Sequence, residues 1–594
     1  MTRHSFIRSL IVVASLALLS SCKGESSMEI RIAATSDVHG NFYPYDFIND
    51  RPASGSLSRV QTYLNSERKT WGDRLFYVDA GDILQGQPTA YYYNTVAVGD
   101  IHLADTMLSY MGCDVAALGN HDIETGGPTY QRYILDANFS VLGGNIGLEG
   151  TSHNFVPPYK VFDRHGVRIA FMGMLTPAIP HWLPRELWVS LTFDDMVTSA
   201  QKWMAVLKEK ENPDVIIGVF HSGLDGGIVT DSYAENATAQ VAREVPGFDA
   251  IIYGHDHQLH ADSIQCTDGR WVPIVNPANN ANYVSQLTLK LEKNGGRWTV
   301  DHIDAENISM KNVEPDAGFL ATFAPQMEEV KAYVGKRIGT FKNTVSARDA
   351  YFGPSAFMDF IHRMQLDITH ADISLAAPLS FNATIQAGDV YVRDMFNLYK
   401  YENMLYTMLL TGREVRDHLE MSYDQWTTTM TSPSDHLLLF KDNGAQGTDE
   451  GDKNAGKGRP KLQNIFYNFD SAAGIIYEVD VTKPEGQRVR IISMADGTPF
   501  DLNKTYRVAV NSYRGNGGGE LLTRGAGIPQ EELAKRIDYS TDVDLRYYMM
   551  SYIEMRDTID AQPLGQWKFV PEAWTQPAAE RDRKLLFGME KNNN

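Results

Sequence analysis

At 594 residues the chain is too long for one hydrophobic core, so two domains are expected. Its 43% apolar and 22% charged residues are the proportions of a soluble globular protein. A formal net charge of −20 excludes a nucleic-acid polymer as partner and means that an anionic substrate needs a local source of positive charge, such as bound metal ions. Arg3 and Arg8 precede an apolar run, residues 10–19, that is too short to span a bilayer, so 1–21 reads as an export segment and 22–27 as a linker. From 28 to 312, apolar strand-like runs (28–35, 75–80, 114–119, 168–174, 214–220, 249–253) alternate with amphipathic stretches such as 195–210, the pattern of an α/β domain. Residues 313–337 form a helical connector. In it Phe319, Phe323, Met327, Val330 and Val334 share one face, and Pro325 kinks the helix or begins it. A second, mixed domain occupies 338–575 and contains a polar insertion, 441–460, that reads as a mobile loop. Residues 576–594 read as a poorly ordered tail.

The export segment ends in Leu19-Ser20-Ser21-Cys22, which resembles the bacterial lipobox. That resemblance implies cleavage before Cys22 and lipidation of its thiol; a plain secretory peptide is the alternative. Lys23 favours the outer membrane by resemblance to the lipoprotein sorting rule. The expected protein is therefore anchored to a membrane, on its periplasmic side or at the cell surface, rather than spanning it. The remaining Cys113 and Cys266 make no disulfide framework and read as buried thiols, with one disulfide as the alternative.

Five apolar runs of the first domain each end in a metal-ligand type of residue. Asp37-x-His39 follows the first, Asp82 the second and Asn120-His121-Asp122 the third; His221 follows a later run and His255-Asp256-His257 the last. The carboxyl edge of an α/β sheet is where ligands bind. Each signal alone is weak, since a lone His after a strand is more often a satisfied core or surface residue. Jointly they point to a metal site. Oxygen and imidazole donors without thiolate suit Mn, Zn, Fe or similar divalent ions, and the donor count is enough for two. Two ions sharing a carboxylate suit in-line displacement at phosphorus.

The series D-x-H, G-D, G-N-H-[ED], H and G-H-x-H resembles the calcineurin-like metallophosphoesterases. More narrowly, residues 28–575 resemble the secreted 5′-nucleotidase superfamily. The resemblance implies a four-layer α/β sandwich followed by a smaller mixed α/β substrate-binding domain. It implies that Asp37, His39 and His257 hold one metal, that Asp82 bridges, and that Asn120, His221 and His255 hold the other. His121 is then the catalytic imidazole. Where 5′-nucleotidases pair it with an Asp three residues on, this chain has Glu124, either its carboxylate partner or a helix-start residue.

In the second domain, Tyr513-Arg514-Gly515-Asn516 opens a Gly-rich turn. The superfamily clamps the base between two aromatics, which by position are Tyr513 and Phe469, with Phe466 and Tyr467 close by. Arg514 and Asn516 are further substrate-binding candidates. The stretches 376–380 (AAPLS), 392–420, 467–470 (YNFD) and 511–519 resemble the 2′,3′-cyclic-nucleotide 2′-phosphodiesterase/3′-nucleotidase branch. The chain lacks the Arg-terminated run and the Gly-Gly-Asp-Gly of plain 5′-nucleotidases. The expected activity is hydrolysis of 2′,3′-cyclic nucleotides and 3′-nucleotides to nucleoside and phosphate, with a small-molecule nucleotide and a membrane as partners and no obligate protein partner. The alternatives are a 5′-nucleotidase or nucleotide-sugar hydrolase with the same metals, and a non-catalytic nucleotide-binding surface lipoprotein.

Overall fold

A computed structural model of the chain describes residues 27–99, 102–399, 401–441 and 460–588. The export segment, Cys22 and nearly all of the 441–460 insertion lie outside the described residues. In the first strand, Ser27–Thr35, the alternation of the sequence is kept: Ile30, Ile32 and Ala34 point into one core while Ala33 points into another. This strand lies inside a six-stranded sheet, between Tyr283–Asn294 and Leu75–Asp79, and the sheet continues through Val115–Ala117 to Ser140–Leu142. A second six-stranded sheet carries Val167–Leu175, Val215–His221 and Ala250–Tyr253 as parallel neighbours.

The two sheets face each other across a core to which Ile32, Phe76 and Val78 contribute from one side and Phe171, Ile217 and Ile252 from the other. Helices cover the outer faces, with Leu57–Trp71 and Leu103–Tyr110 on the first sheet and Met196–Val206 and Thr238–Glu244 on the second. The result is the expected four-layer sandwich, in which strands buried on both faces read as continuous apolar runs. Cys113 and Cys266 are buried free thiols.

The connector is two helices, Ala317–Thr322 and Ala324–Val334, and Pro325 lies in the first turn of the second, where its missing N–H costs nothing. Phe319, Phe323, Val330 and Val334 pack into the outer core of the first domain. The strand Arg337–Phe341 then pairs with Gly388–Tyr391 and starts the second domain. Its main sheet has five strands, with Leu405–Thr411 and Thr505–Asn511 at the centre, and the helices Ala356–Thr369 and Gly412–Trp426 pack nearby.

The tail expected from 576 is not loose within the described residues. Glu572–Phe587 is a helix whose Ala578 and Leu586 join the second domain's core, and its buried Asp582 accepts the backbone N–H groups of Leu437 (2.7 Å) and Leu438 (3.0 Å). Its sparse apolar residues, spread among charges, hide the helical period. Among the described residues no helix is long and apolar enough to cross a membrane.

Candidate active site

The five runs deliver their polar residues to one place. Asp37 and His39 follow Ser27–Thr35, Asp82 follows Leu75–Asp79, Asn120 opens the short helix Asn120–Glu124, His221 ends its strand, and His255 and His257 follow Ala250–Tyr253. Asp37, His39, Asp82, His255 and His257 all have positive φ, between 49° and 80°. Non-glycine residues are held there at a cost on the order of 1–3 kcal/mol each, and such strain gathers at functional sites. Close approach also requires glycine. A Cβ on Gly119 would lie 2.1 Å from Asp82 Oδ1, and one on Gly254 would lie 1.9 Å from Ser36 Oγ.

The side chains meet through their acceptor atoms. His257 Nε2 lies 3.1 Å from Asp37 Oδ1 and 3.1 Å from His39 Nε2. His221 Nε2 lies 3.1 Å from Asp82 Oδ2 and 3.1 Å from Asn120 Oδ1, which is also 2.8 Å from His255 Nδ1. The far nitrogens fix the rings: His221 Nδ1 donates to the Ala80 carbonyl (2.8 Å) and His39 Nδ1 to the Gln85 carbonyl (3.1 Å), so each Nε2 turns a lone pair inward.

Asp82 Oδ2 is buried, and apart from His221 Nε2 at 3.1 Å it meets no hydrogen-bond donor among the described residues. A buried carboxylate oxygen left this way is costly unless a cation satisfies it. Two sets of possible ligand atoms lie within 4.8 Å of one another, Asp37–His39–His257 and Asp37–Asp82–His221. The carboxylate common to both is Asp37, where the resemblance gives the bridge to Asp82; Asp82 Oδ1 is engaged by the His121 backbone N–H at 2.8 Å. This oxygen and imidazole set fits divalent cations.

The electrostatics of Asp37 and His39 agree, while at His221 the Asp82 carboxylate outweighs burial and holds the imidazole up at about 9. Burial raises the Asp37 pKa, but the adjacent His257 outweighs it and brings the carboxyl down to about 2. Burial beside His257 lowers His39 to about 4, which keeps it a neutral donor. His121 contributes differently. Its Nδ1 bonds the Glu124 carboxylate, and Glu124 ends the helix Asn120–Glu124 rather than starting it. Burial opposes its charged form, but Asp82 and Glu124 outweigh burial and hold it up at about 10.

Sequence reasoning missed Asp122. Its carboxylate accepts the backbone N–H groups of Gly119 (2.8 Å), Asp82 (3.0 Å), Ile83 (2.9 Å) and Leu84 (2.9 Å), locking together the two loops that carry Asp82 and Asn120. The only signal was its place in Asn-His-Asp.

Beside this cluster, a cleft of about 280 Å³ lies between the domains, with Asn120, His121 and Glu124 on one wall and Tyr401, Tyr467 and Tyr513 on the other. Tyr467 and Tyr513 meet edge to face, with centroids 6.1 Å apart. Three substrate-binding expectations are corrected here. Phe469 is 1% exposed and stacks on Trp426 in the core (5.4 Å, 7°), because the turn Phe466–Asn468 carries Tyr467, not Phe469, into the cleft. Arg514 is 3% exposed and spans the Asp470 carboxylate with bonds of 2.9 and 3.0 Å, also reaching the carbonyls of Tyr467 (3.0 Å) and Gly518. It fastens two loops and does not face the cleft. Asn516 closes its own turn on the Ser512 carbonyl at 2.8 Å and is not among the cleft-lining residues. Tyr401 and Asn403, which do line it, were missed; their signal was Tyr399-Lys400-Tyr401-Glu402-Asn403, an aromatic cluster just ahead of a strand.

Comparison with known proteins agrees with this geometry. Residues 30–259 match the calcineurin-like phosphoesterase family and 337–524 match the 5′-nucleotidase C-terminal domain. The chain belongs to the calcineurin-like phosphoesterases that carry a 5′-nucleotidase C-terminal domain.

Among relatives of this phosphoesterase, the chain is 26% identical over 92% of its length to the trifunctional nucleotide phosphoesterase protein YfkN of Bacillus subtilis, and spans 39% of that protein. It is 23% identical to a 2′,3′-cyclic-nucleotide 2′-phosphodiesterase/3′-nucleotidase of Yersinia enterocolitica, over 96% of this chain and 92% of the other. A Staphylococcus aureus structure solved with alpha-ketoglutarate shares the fold at a TM-score of 0.73 and 22% identity, covering 91% of this chain and all of the other. A 5′-nucleotidase precursor from Thermus thermophilus does so at 0.60 and 20% identity, covering 92% of this chain and all of the other.

Proposed function

We propose that the protein hydrolyses 2′,3′-cyclic nucleotides and 3′-nucleotides to nucleoside and phosphate. The observation that carries this reading is the acceptor cluster beside a tyrosine-walled cleft, with the His121–Glu124 pair at their junction. The relatives named for this activity, and the sequence likeness of the second domain to that branch, support the choice of ester. Leu379 of the Ala-Ala-Pro-Leu-Ser stretch lines the cleft, in the stretch where a 5′-nucleotidase carries its Arg-terminated run.

Asp37, His39 and His257 would hold one divalent ion and Asn120, His221 and His255 the other, with Asp82 shared between them. When bound, two such ions activate water and neutralise the phosphate. The residues of the chain do the rest. Tyr513 and Tyr467, whose rings meet edge to face, would receive the base. Glu124 fixes the His121 ring through Nδ1 and stabilises its protonated form, so His121 can donate to the leaving ribose oxygen. Opening the cyclic diester consumes one water and leaves a 3′-monoester. A second water then releases nucleoside and phosphate. We further infer export and lipidation at Cys22, on the strength of the N-terminal sequence, with the outer membrane favoured.

The test is phosphate release from 3′-AMP and 5′-AMP side by side with Mn, following nucleoside from 2′,3′-cyclic AMP in parallel. The expected result is strong activity on the 3′ and cyclic substrates with little on 5′-AMP. A preference for 5′-AMP would transfer the protein to the 5′-nucleotidase reading, which the same ligand residues serve equally.

A further inference from the structure

The loop between His221 and the last helix of the second sheet's outer layer has no part in the reaction described so far. Residues 222–237 leave the end of the His221 strand, bend at Gly226 and Gly227 (φ 78° and 71°), pair Val229 with Ala234 and reverse between them, where the Thr230 N–H donates to the Tyr233 carbonyl at 2.9 Å. The return strand is held on the outgoing one by the Glu235 N–H donating to the Ile228 carbonyl at 2.8 Å. The loop thus brings Glu235 back beside the residue it started from. The Glu235 carbonyl accepts the hydroxyls of Thr176 (2.9 Å) and Ser222 (2.9 Å), and Asn236 Oδ1 accepts the Gly223 N–H at 3.0 Å.

The Glu235 carboxylate is equally fixed. Its Oε2 accepts the Ile228 N–H at 2.7 Å, and its Oε1 lies 3.2 Å from His255 Nε2. A Cβ on Gly227 would fall 2.5 Å from Glu235 Oε2, so the turn closes round the carboxylate as tightly as glycine allows. Trp182 lies over the His255 ring, with centroids 5.7 Å apart and planes 32° from parallel. The imidazole is therefore held at its edge by Glu235 and on its face by Trp182. With the Nε2 proton donated to Glu235, the lone pair sits on Nδ1, the nitrogen that faces Asn120 Oδ1 at 2.8 Å.

We propose that Glu235 is the positioning residue for His255. It fixes the tautomer that turns Nδ1 toward Asn120, strengthens Nδ1 as a donor through its negative charge, and so sets the cation affinity of the Asn120–His221–His255 side of the centre. The opposite side, Asp37–His39–His257, does not depend on it. The proposal rests on the two-cation reading of the centre. Carboxylate partners of metal-bound imidazoles typically account for about 10–100-fold in affinity.

The test is Mn(II) titration of the purified chain stripped of metal, with free Mn followed by electron paramagnetic resonance. Wild type, Glu235→Gln and Glu235→Asp are compared, and thermal melting of the stripped proteins checks that the fold is kept. For wild type, two equivalents are expected. In Glu235→Gln one equivalent should weaken by about 10–100-fold while the other is unchanged, and the Mn concentration for half-maximal turnover should rise in step. Glu235→Asp keeps the charge one methylene further away and should fall between the two. Unchanged affinity for both equivalents in Glu235→Gln, or equal weakening of both, overturns the proposal. Fewer than two equivalents in the wild type overturns the two-cation reading itself, and the proposal with it.

Discussion

The two walls of the cleft are held by different forces. On the first-domain wall, five of the residues that face the centre sit at positive φ, and Asp122 ties their loops together through four backbone N–H groups. On the second-domain wall, Tyr467 and Tyr513 rest on a buried ionic cluster. Arg514 bridges to Asp470, and Asp470 also bonds His418 Nε2 at 2.8 Å. Away from the cleft the two domains touch where Tyr91 of the first donates to Asp544 of the second at 3.0 Å. Where charge must be gathered, the chain uses strained backbone, which leaves donor atoms little freedom to relax. Where a neutral ring is to be received, side-chain supports carry the tyrosines, and on that wall left-handed backbone is confined to the turn after Tyr513, at Gly517, Gly519 and Glu520. Substitutions on the first wall should therefore change chemistry, and those on the second should change fit or stability.

The sharpest break in this contrast is His121→Ala. Removing a positioned acid lowers rates by about 10²–10⁴-fold. The loss should fall in kcat for 3′-AMP, with KM and Mn binding near wild type; a loss confined to KM would place His121 on the wrong wall. Next come the supports of the second wall. Arg514→Ala leaves the buried Asp470 carboxylate with His418 alone, and Phe469→Ala opens a cavity beside Trp426; each should cost about 3–5 kcal/mol in denaturant unfolding. The folded fraction should keep its kcat, and a large change in base preference from Phe469→Ala would restore that residue to the substrate site. Tyr513→Ala comes third. Loss of one stacking partner is worth about 1–3 kcal/mol, a rise in KM of about 5- to 150-fold with kcat little altered.

The smallest effect is on the acid limb of stability. Burial raises the Asp470 pKa, but Arg514 and then His418 outweigh it and bring the group down to about 2 from its ordinary 3.8. A folded value below the unfolded one gives stability that is present above pH 4 and lost as pH falls through 2. The stability gap between wild type and Asp470→Asn should therefore narrow between pH 4 and pH 2, and a constant gap over that range would contradict the ion-pair account.

How much of this was legible in sequence follows the same division. Asp37, Asp82, His221 and His255 could be read because each stands just after an apolar run, and the strands that these runs form end at one edge. Glu124 was singled out by the resemblance, which puts a carboxylate three residues after the catalytic His, a step that on a helix returns to the same face. The second wall resisted. Tyr467 and Phe469 are two residues apart and chemically alike, and only the turn Phe466–Asn468 decides which enters the cleft. Arg514 has the composition of a phosphate ligand, but Asp470, 44 residues upstream, claims it. Asp122 and Glu235 act through contacts that no local pattern announces, the one on backbone amides across two loops and the other on a ring 20 residues away.

The most direct test of the central account is a crystal structure of the protein with Mn and adenosine, with data collected at the Mn edge. The account predicts two anomalous peaks, one among Asp37, His39 and His257 and one among Asn120, His221 and His255, with Asp82 between them and the adenine ring against Tyr513 and Tyr467. A single peak, or an adenine ring bound away from those tyrosines, would contradict it.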